Sequence, residues 1–171
     1  TLLSKETEQP YYRLNLSRYL AGEVTAASLA LHPESWYREK QIDLIGDAEL
    51  CTILPDKKRL HLRHGDDLSY DQLILAVGSH PFVPPIPGIQ RENVTALRTH
   101  ADADLILSQC RKDMPCAVIG GGILGLEAAG ALARHGLKVT VLEGFGWLLP
   151  RQLNTEAAAV LEKQVRAQGI E

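Results

Sequence analysis

The sequence predicts an α/β protein, and three observations carry that prediction. Residues 116–143 run as apolar strand, glycine turn, alanine-rich helix and second strand. Residues 42–77 hold four short apolar or alternating segments divided by turn residues, and PFVPPIPG at 81–88 separates the two regions. Side chains alternating over four or five positions mark strands, whereas apolar residues three and four apart mark helices. With 45% hydrophobic and 23% charged residues in 171, the composition is that of an ordinary globular core and gives no sign of disorder.

In chain order, residues 1–4 are expected to end a strand, and the polar stretch 5–13 to lead into a short helix over 14–21 that stops at Gly22. Pro33 is expected to open a helix over 33–40 with Trp36 in the core. The segments 42–45, 50–54, 60–63 and 73–77, divided by Pro55-Asp56-Lys57 and His64-Gly65-Asp66-Asp67, predict a small β-meander feeding one last buried strand at 73–77. The four prolines within 81–88 exclude helix and central strand, because proline fixes φ and has no N–H to donate. That stiff connector marks the domain boundary. A helix is expected over 100–112, a strand over 116–120, a helix over 123–135 stopped by Gly136, and a strand over 137–143. The last helix should run from a cap at Asn154 or Thr155 to Gly169, with Glu156 in the first turn, where the helix dipole favours an anion. Leu161 and Val165 are spaced to face a core.

Charge and composition narrow the function. Net charge is −3 and the 18 basic residues are scattered, so nucleic acid is not an expected partner. No apolar run reaches the roughly 18 residues that a membrane helix needs, and TLLSKETEQP lacks the basic and apolar regions of a signal peptide. A cytoplasmic protein without a membrane partner is expected. Cys51, Cys110 and Cys116 form no CxxC pair and have no His or Cys at ligand spacing, so neither a metal site nor a redox dithiol is expected.

The glycines carry the chemistry. Gly120-Gly121-Gly122-Ile123-Leu124-Gly125 fits G-x-G-x-x-G, a weak signal alone but one set here between a strand and a helix, with Glu143 ending the next strand. Gly120 permits the tight turn, Gly122 leaves the backbone bare where a pyrophosphate would approach, and Gly125 lets the helix pack closely. Free N–H groups at the helix start would hold phosphate oxygens, and Glu143 would accept from an adenosine ribose diol while repelling a 2′-phosphate. NAD is thus favoured over NADP, and the fold is expected to be Rossmann-like. The alternative is a βαβ unit whose glycines serve packing alone; a phosphate-loop NTPase is excluded because no Lys-Ser or Lys-Thr follows them.

GGGILGLEAAGALARHGLKVTVLE resembles the NAD-binding segment of the FAD-dependent pyridine-nucleotide reductases, among them rubredoxin and ferredoxin reductases and the NAD(P)H nitrite reductase large subunit, whose branch PRQL and the following helix resemble most. PYYRLNLSRYLAGE and LSYDQLILAVGSHPFVPPIPG resemble further segments of that family in the same order. The resemblance implies FAD and NAD as cofactors, with NADH favoured over NADPH. It implies that Tyr11, Arg13, Leu16 and Ser17 line the FAD, Arg13 near its pyrophosphate, and that Ala76 and Gly78 form a turn beside it. It places Glu127 near nicotinamide and flavin, and Arg18 where several relatives carry a lysine against the flavin edge. Val77 replaces a usual threonine. Without the resemblance, Arg13 and Arg18 read as surface cations and 76–78 as a strand end.

The family's own FAD fingerprint would precede Thr1 and its Gly-Asp segment would follow Glu171, so the chain is expected to be internal, cut at both ends. Residues 1–97 are expected to be part of an FAD-binding domain and 98–171 the first half of an NAD-binding domain. The implied activity is hydride transfer from NADH to FAD, with electrons passed to an iron–sulfur, siroheme or rubredoxin-type acceptor. The alternative is a nucleotide-binding or structural piece without turnover, binding neither cofactor and associating with itself.

Overall fold

In the computed structural model, which describes residues 1–65 and 67–171, the expected mixture of short strands and helices forms. Along the chain lie β1 (Leu2–Leu3), α1 (Leu16–Leu20), α2 (Glu34–Glu39), β2 (Leu44–Ile45), β3 (Leu50–Leu54), β4 (Arg59–Leu62), β5 (Leu68–Ser69), α3 (His100–Gln109), β6 (Pro115–Ile119), α4 (Ile123–Arg134), β7 (Lys138–Leu142) and α5 (Thr155–Ala167). Residues 1–12 and 30–80 make one compact unit, and residues 13–29 and 81–171 make a second.

The first unit holds two small sheets. β1 and β2 pair in parallel, Leu2 with Leu44 and Leu3 with Ile45, while β3, β4 and β5 form an antiparallel meander. Alternation in β4 puts Leu60 and Leu62 inside and leaves Arg59 and His61 in solvent, the period-two pattern of a sheet with one wet face. Three expectations change here. Residues 42–45 yield only the two residues of β2, paired with β1 rather than with the meander, and the third meander strand is β5. The strand expected at 73–77 does not form: Ile74 is 90% exposed and Val77 81%. Extended backbone becomes a strand only when a neighbour completes its ladder, and among the described residues none pairs with it. Trp36 is not in the core but stacks on His32 with ring centroids 3.9 Å apart, while Tyr37 is buried. Neighbours on a helix point about 100° apart, so a helix as short as α2 can bury only one of the two. Asp66, in the turn expected at 64–67, lies outside the described residues.

The second unit is built on the βαβ succession. β6 and β7 pair in parallel from Pro115–Lys138 to Ile119–Leu142, and α4 connects them. Ala129, Ala131 and Leu132 of α4 are buried with Leu137, Val139, Leu20 and Ile170 in one apolar cluster. Alanines on that face let the helix approach the strands closely, which is how a two-stranded sheet still supports a core. After α5 the chain returns to the sheet, where Glu171 N–H donates to Val139 O and Val141 N–H to Glu171 O, the bonding of a parallel neighbour of β7.

Side-chain caps fix the starts of α3 and α5. At α3, Thr99 accepts from Asp102 N–H while the Asp102 carboxylate accepts from Thr99 N–H, a reciprocal capping box. The helix expected to reach 112 ends at Gln109, because Cys110 is already extended. Asn154 caps α5 through Ala157 N–H. Among the described residues no helix is long and apolar enough to cross a membrane.

Candidate dinucleotide site

The turn between β6 and α4 is shaped by three glycines with separate reasons. Gly120 has φ +110°, a left-handed conformation that side chains rarely adopt. A Cβ on Gly125 would lie 1.9 Å from the Gly120 carbonyl oxygen, so the first turn of α4 sits directly on the glycine turn. A Cβ on Gly122 would meet nothing within 4 Å, which leaves open space where α4 begins. Gly122 is the N-cap of α4 and supplies no side-chain acceptor, so the first N–H groups of the helix lack the usual cap. Positive dipole and free donors there suit an anion, and the bare backbone admits one.

Gly121, which sequence spacing passes over as a free position of the motif, is constrained as well. Its Cβ would meet Leu148 Cδ2 at 2.7 Å and the Glu143 side chain at 3.2 Å, and its carbonyl accepts from Leu149 N–H. The visible signal was the run of three consecutive glycines. Glu143 follows β7 and is half-buried; one carboxylate oxygen accepts from Gly121 N–H at 2.7 Å and the other from Phe145 N–H at 2.9 Å. The acid is therefore oriented by the glycine turn beside it, and each oxygen keeps acceptor capacity. Beside it opens a shallow cleft lined by Val141, Phe145, Trp147, Val165 and Arg166.

In the same unit α1 gathers carboxylates. Ser17 Oγ donates to Glu127 Oε2 at 2.6 Å, Arg18 Nε to Glu23 Oε2 at 3.2 Å, and Tyr19 O–H to Asp104 Oδ1 at 2.6 Å. Arg134 also donates to Glu23. Hydrogen bonds from Arg18, then from Arg134, hold the Glu23 carboxyl below the usual carboxylate range. Donation to Asp104 pushes the Tyr19 phenol up. Leu16 is buried, so only its backbone is available to a ligand, and the Arg13 guanidinium donates to Arg98 O at 2.6 Å. Thus the second unit holds Arg13, Leu16, Ser17, Arg18, Glu127, Gly120, Gly122, Gly125 and Glu143.

The first unit holds Tyr11, Ala76 and Gly78. Tyr11 forms a bridge with Ala30 and donates its hydroxyl to Glu6 at 2.5 Å. Ala76 and Gly78 are exposed and lie outside any helix or strand, with Gly78 in the left-handed region at φ +69°.

Known proteins resemble this chain in sequence and fold. The chain is 36% identical over 177 residues to the nitrite reductase [NAD(P)H] of Bacillus subtilis (strain 168), covering 99% of the chain and 21% of the relative. It is 35% identical over 170 residues to the nitrite reductase (NADH) large subunit of Escherichia coli (strain K12), covering 99% and 20%. The chain thus spans about a fifth of each of these relatives. Its fold superposes on the crystal structure of the covalent putidaredoxin reductase–putidaredoxin complex with a TM-score of 0.90 at 33% identity, over 99% of this chain and 42% of that one. The model of the pyridine nucleotide-disulphide oxidoreductase family matches residues 1–171, and the chain belongs to that family.

Proposed function

We propose that the chain is the cofactor-binding part of a cytoplasmic flavin reductase in which NADH reduces FAD and electrons pass on to a nitrite-reducing, iron–sulfur or rubredoxin-type centre. The observation that carries this is the open backbone at Gly122, set between a helix start without a side-chain cap and a carboxylate, Glu143, already aimed by the same turn. A dinucleotide needs those two features together: donors for its pyrophosphate and an acceptor for its ribose. Once bound, the two cofactors supply the hydride donor and the two-electron acceptor, and the protein supplies position and charge.

Within this reading Gly120, Gly122 and Gly125 shape the pyrophosphate turn, and Glu143 selects NADH over NADPH by accepting from the ribose diol. Arg13 faces the FAD pyrophosphate, the backbone of Leu16 and Ser17 approaches the flavin, and Tyr11, Ala76 and Gly78 line it further along. Glu127 and Arg18 flank the path of the hydride. By cofactor, residues 1–97 serve FAD and 98–171 serve NAD, a division different from that into compact units, in which 13–29 group with 81–171. The nitrite-reducing acceptor is taken from the names of the nitrite reductases that resemble this chain, and the other two from the ferredoxin and rubredoxin reductases that do. The test is an absorbance scan of the complete protein: a flavin band that bleaches on addition of NADH is expected, and a complete protein that binds no flavin overturns the proposal.

A second reading has its own observation. Among the described residues, β6 pairs only with β7, and apolar residues 74, 75 and 77 lie exposed outside any helix or strand. Such edges favour self-association of a chain without turnover. Light scattering showing a strict monomer at high concentration would count against it.

A further inference from the structure

We infer that Ser17 is the positioning residue for Glu127, and that the neighbouring cation Arg18 is not. This rests on the proposal that Glu127 flanks the hydride path. Three consecutive side chains of α1 each engage a carboxylate, and each takes a different one: Ser17 takes Glu127, Arg18 takes Glu23, and Tyr19 takes Asp104. Successive helical residues point about 100° apart, so the three carboxylates stand on three sides of the helix. Charge alone would favour Arg18 as the partner of Glu127. Instead its guanidinium is committed to Glu23, which Arg134 from the last turn of α4 also engages.

Geometry makes the serine suited to the task. Leu16 and Leu20 are buried on either side of it, 3% and 0% exposed, so packing holds the backbone that carries the hydroxyl. Serine has one side-chain rotor, and an O–H to carboxylate contact at 2.6 Å lies in the short, charge-assisted range. Glu127 itself is exposed, and without that donor nothing on α1 restrains its carboxylate. Glu127 lies on the helix that opens at Gly122, so α1 orients an acid on the element that carries the glycine turn.

The experiment has two arms. In the 171-residue chain, three-bond NMR couplings about Glu127 χ1 should report one rotamer in the wild type, averaging in Ser17→Ala, one rotamer again in Ser17→Thr, and no change in Arg18→Ala. Ser17→Cys, which keeps the volume and weakens the donor, should average as well and serves if Ser17→Ala fails to fold. In the complete flavin-loaded protein, Ser17→Ala should slow flavin bleaching by NADH about tenfold, the scale of one hydrogen bond to a charged group. The NADH concentration giving half the maximal rate should not change, Ser17→Thr should restore the rate, and Ser17→Ala added to Glu127→Gln should cost nothing more. A single Glu127 rotamer in Ser17→Ala, or rate losses that add in the double variant, would overturn the assignment. A complete protein without flavin would overturn the proposed function and leave the coupling result standing.

Discussion

Gly125 and Gly130 lie five positions apart on α4, and substitution by alanine should move stability in opposite directions. Alanine is preferred over glycine in a helix by about 1 kcal/mol, so propensity alone predicts a gain at both positions. At Gly130 nothing lies within 4 Å of the added methyl group, and the gain should appear. At Gly125 the methyl carbon would fall 1.9 Å from the carbonyl oxygen of Gly120 and 3.1 Å from its carbonyl carbon. Contact at 3.0 Å is the shortest that real Cβ atoms make, so α4 and the glycine turn must separate by about 1.1 Å. Both sides of the contact are backbone, and no side-chain rotation can relieve it. Overpacking of this kind costs about 1–3 kcal/mol or more, and the upper end applies because the obstacle is main chain. Net of the propensity gain, Gly125→Ala should lose about 2 kcal/mol, which at about 2–4 °C per kcal/mol for a chain of this size lowers Tm by about 4–8 °C. Gly130→Ala should raise Tm by about 1–4 °C. Thermal melts followed by far-UV circular dichroism read the Tm shifts, and urea titration with equal slopes in all three proteins reads the free energies. A Gly125→Ala protein as stable as the wild type, or shifts of one sign for both variants, would refute the close approach of helix and turn.

Glu143→Ala should weaken NADH binding about tenfold while affecting NADPH less, because it removes the acceptor proposed for the ribose and strands the N–H groups of Gly121 and Phe145; fluorescence titration with both nucleotides checks this, and an unchanged ratio would count against it. Glu23 contributes stability fully above its ordinary pKa of 4.5, and that contribution is lost as pH falls through its lower folded value. Glu23→Gln should therefore flatten the acid limb of Tm against pH, and matching limbs would speak against the Arg18–Glu23–Arg134 cluster. Burial pushes the Cys110 and Cys116 thiols up, whereas Cys51 is exposed. A disulfide reagent at neutral pH should label Cys51 first and the half-buried Cys110 and Cys116 more slowly; equal rates would contradict the difference in burial.

The βαβ unit was legible because local and long-range demands coincide there. The glycines that a turn needs are also the ones a close-packed helix needs, and Glu143 stands at the end of the strand that pairs with β6. Where the two demands separate, sequence pattern failed. Leu73 to Val77 has the composition of a buried strand, yet burial depends on a ladder partner that no local pattern can supply. Trp36 and Tyr37 are both fit for a core, and only the orientation of α2 decides between them. Gly121 looked like filler within its motif, because its obstacle, Leu148, is 27 positions away in sequence. Ser17 and Tyr19 read as polar positions of one short helix; their carboxylates, Glu127 and Asp104, became visible only when α4 and α3 were set against α1.

The five residues of α1 are too few to hold a helix in water, where about a dozen are marginal. Every side-chain partner that secures it across the fold comes late in the chain: Asp104 is 85 positions away, Glu127 is 110 and His135, whose ring meets Leu20 O at 2.7 Å, is 115. A ribosome adding about 5–20 residues per second would take about 5–20 seconds to travel from Ser17 to Glu127. Through that interval α1 has only its local contacts, such as Arg18 with Glu23, and those to α3 once Asp104 is made, while its partners on α4 are missing and Leu16, Leu20 and Leu29 lack the cover they have in the fold. The segment proposed to touch the flavin is thus made early but takes its shape among the last, and a stall in translation before α4 would leave it unformed.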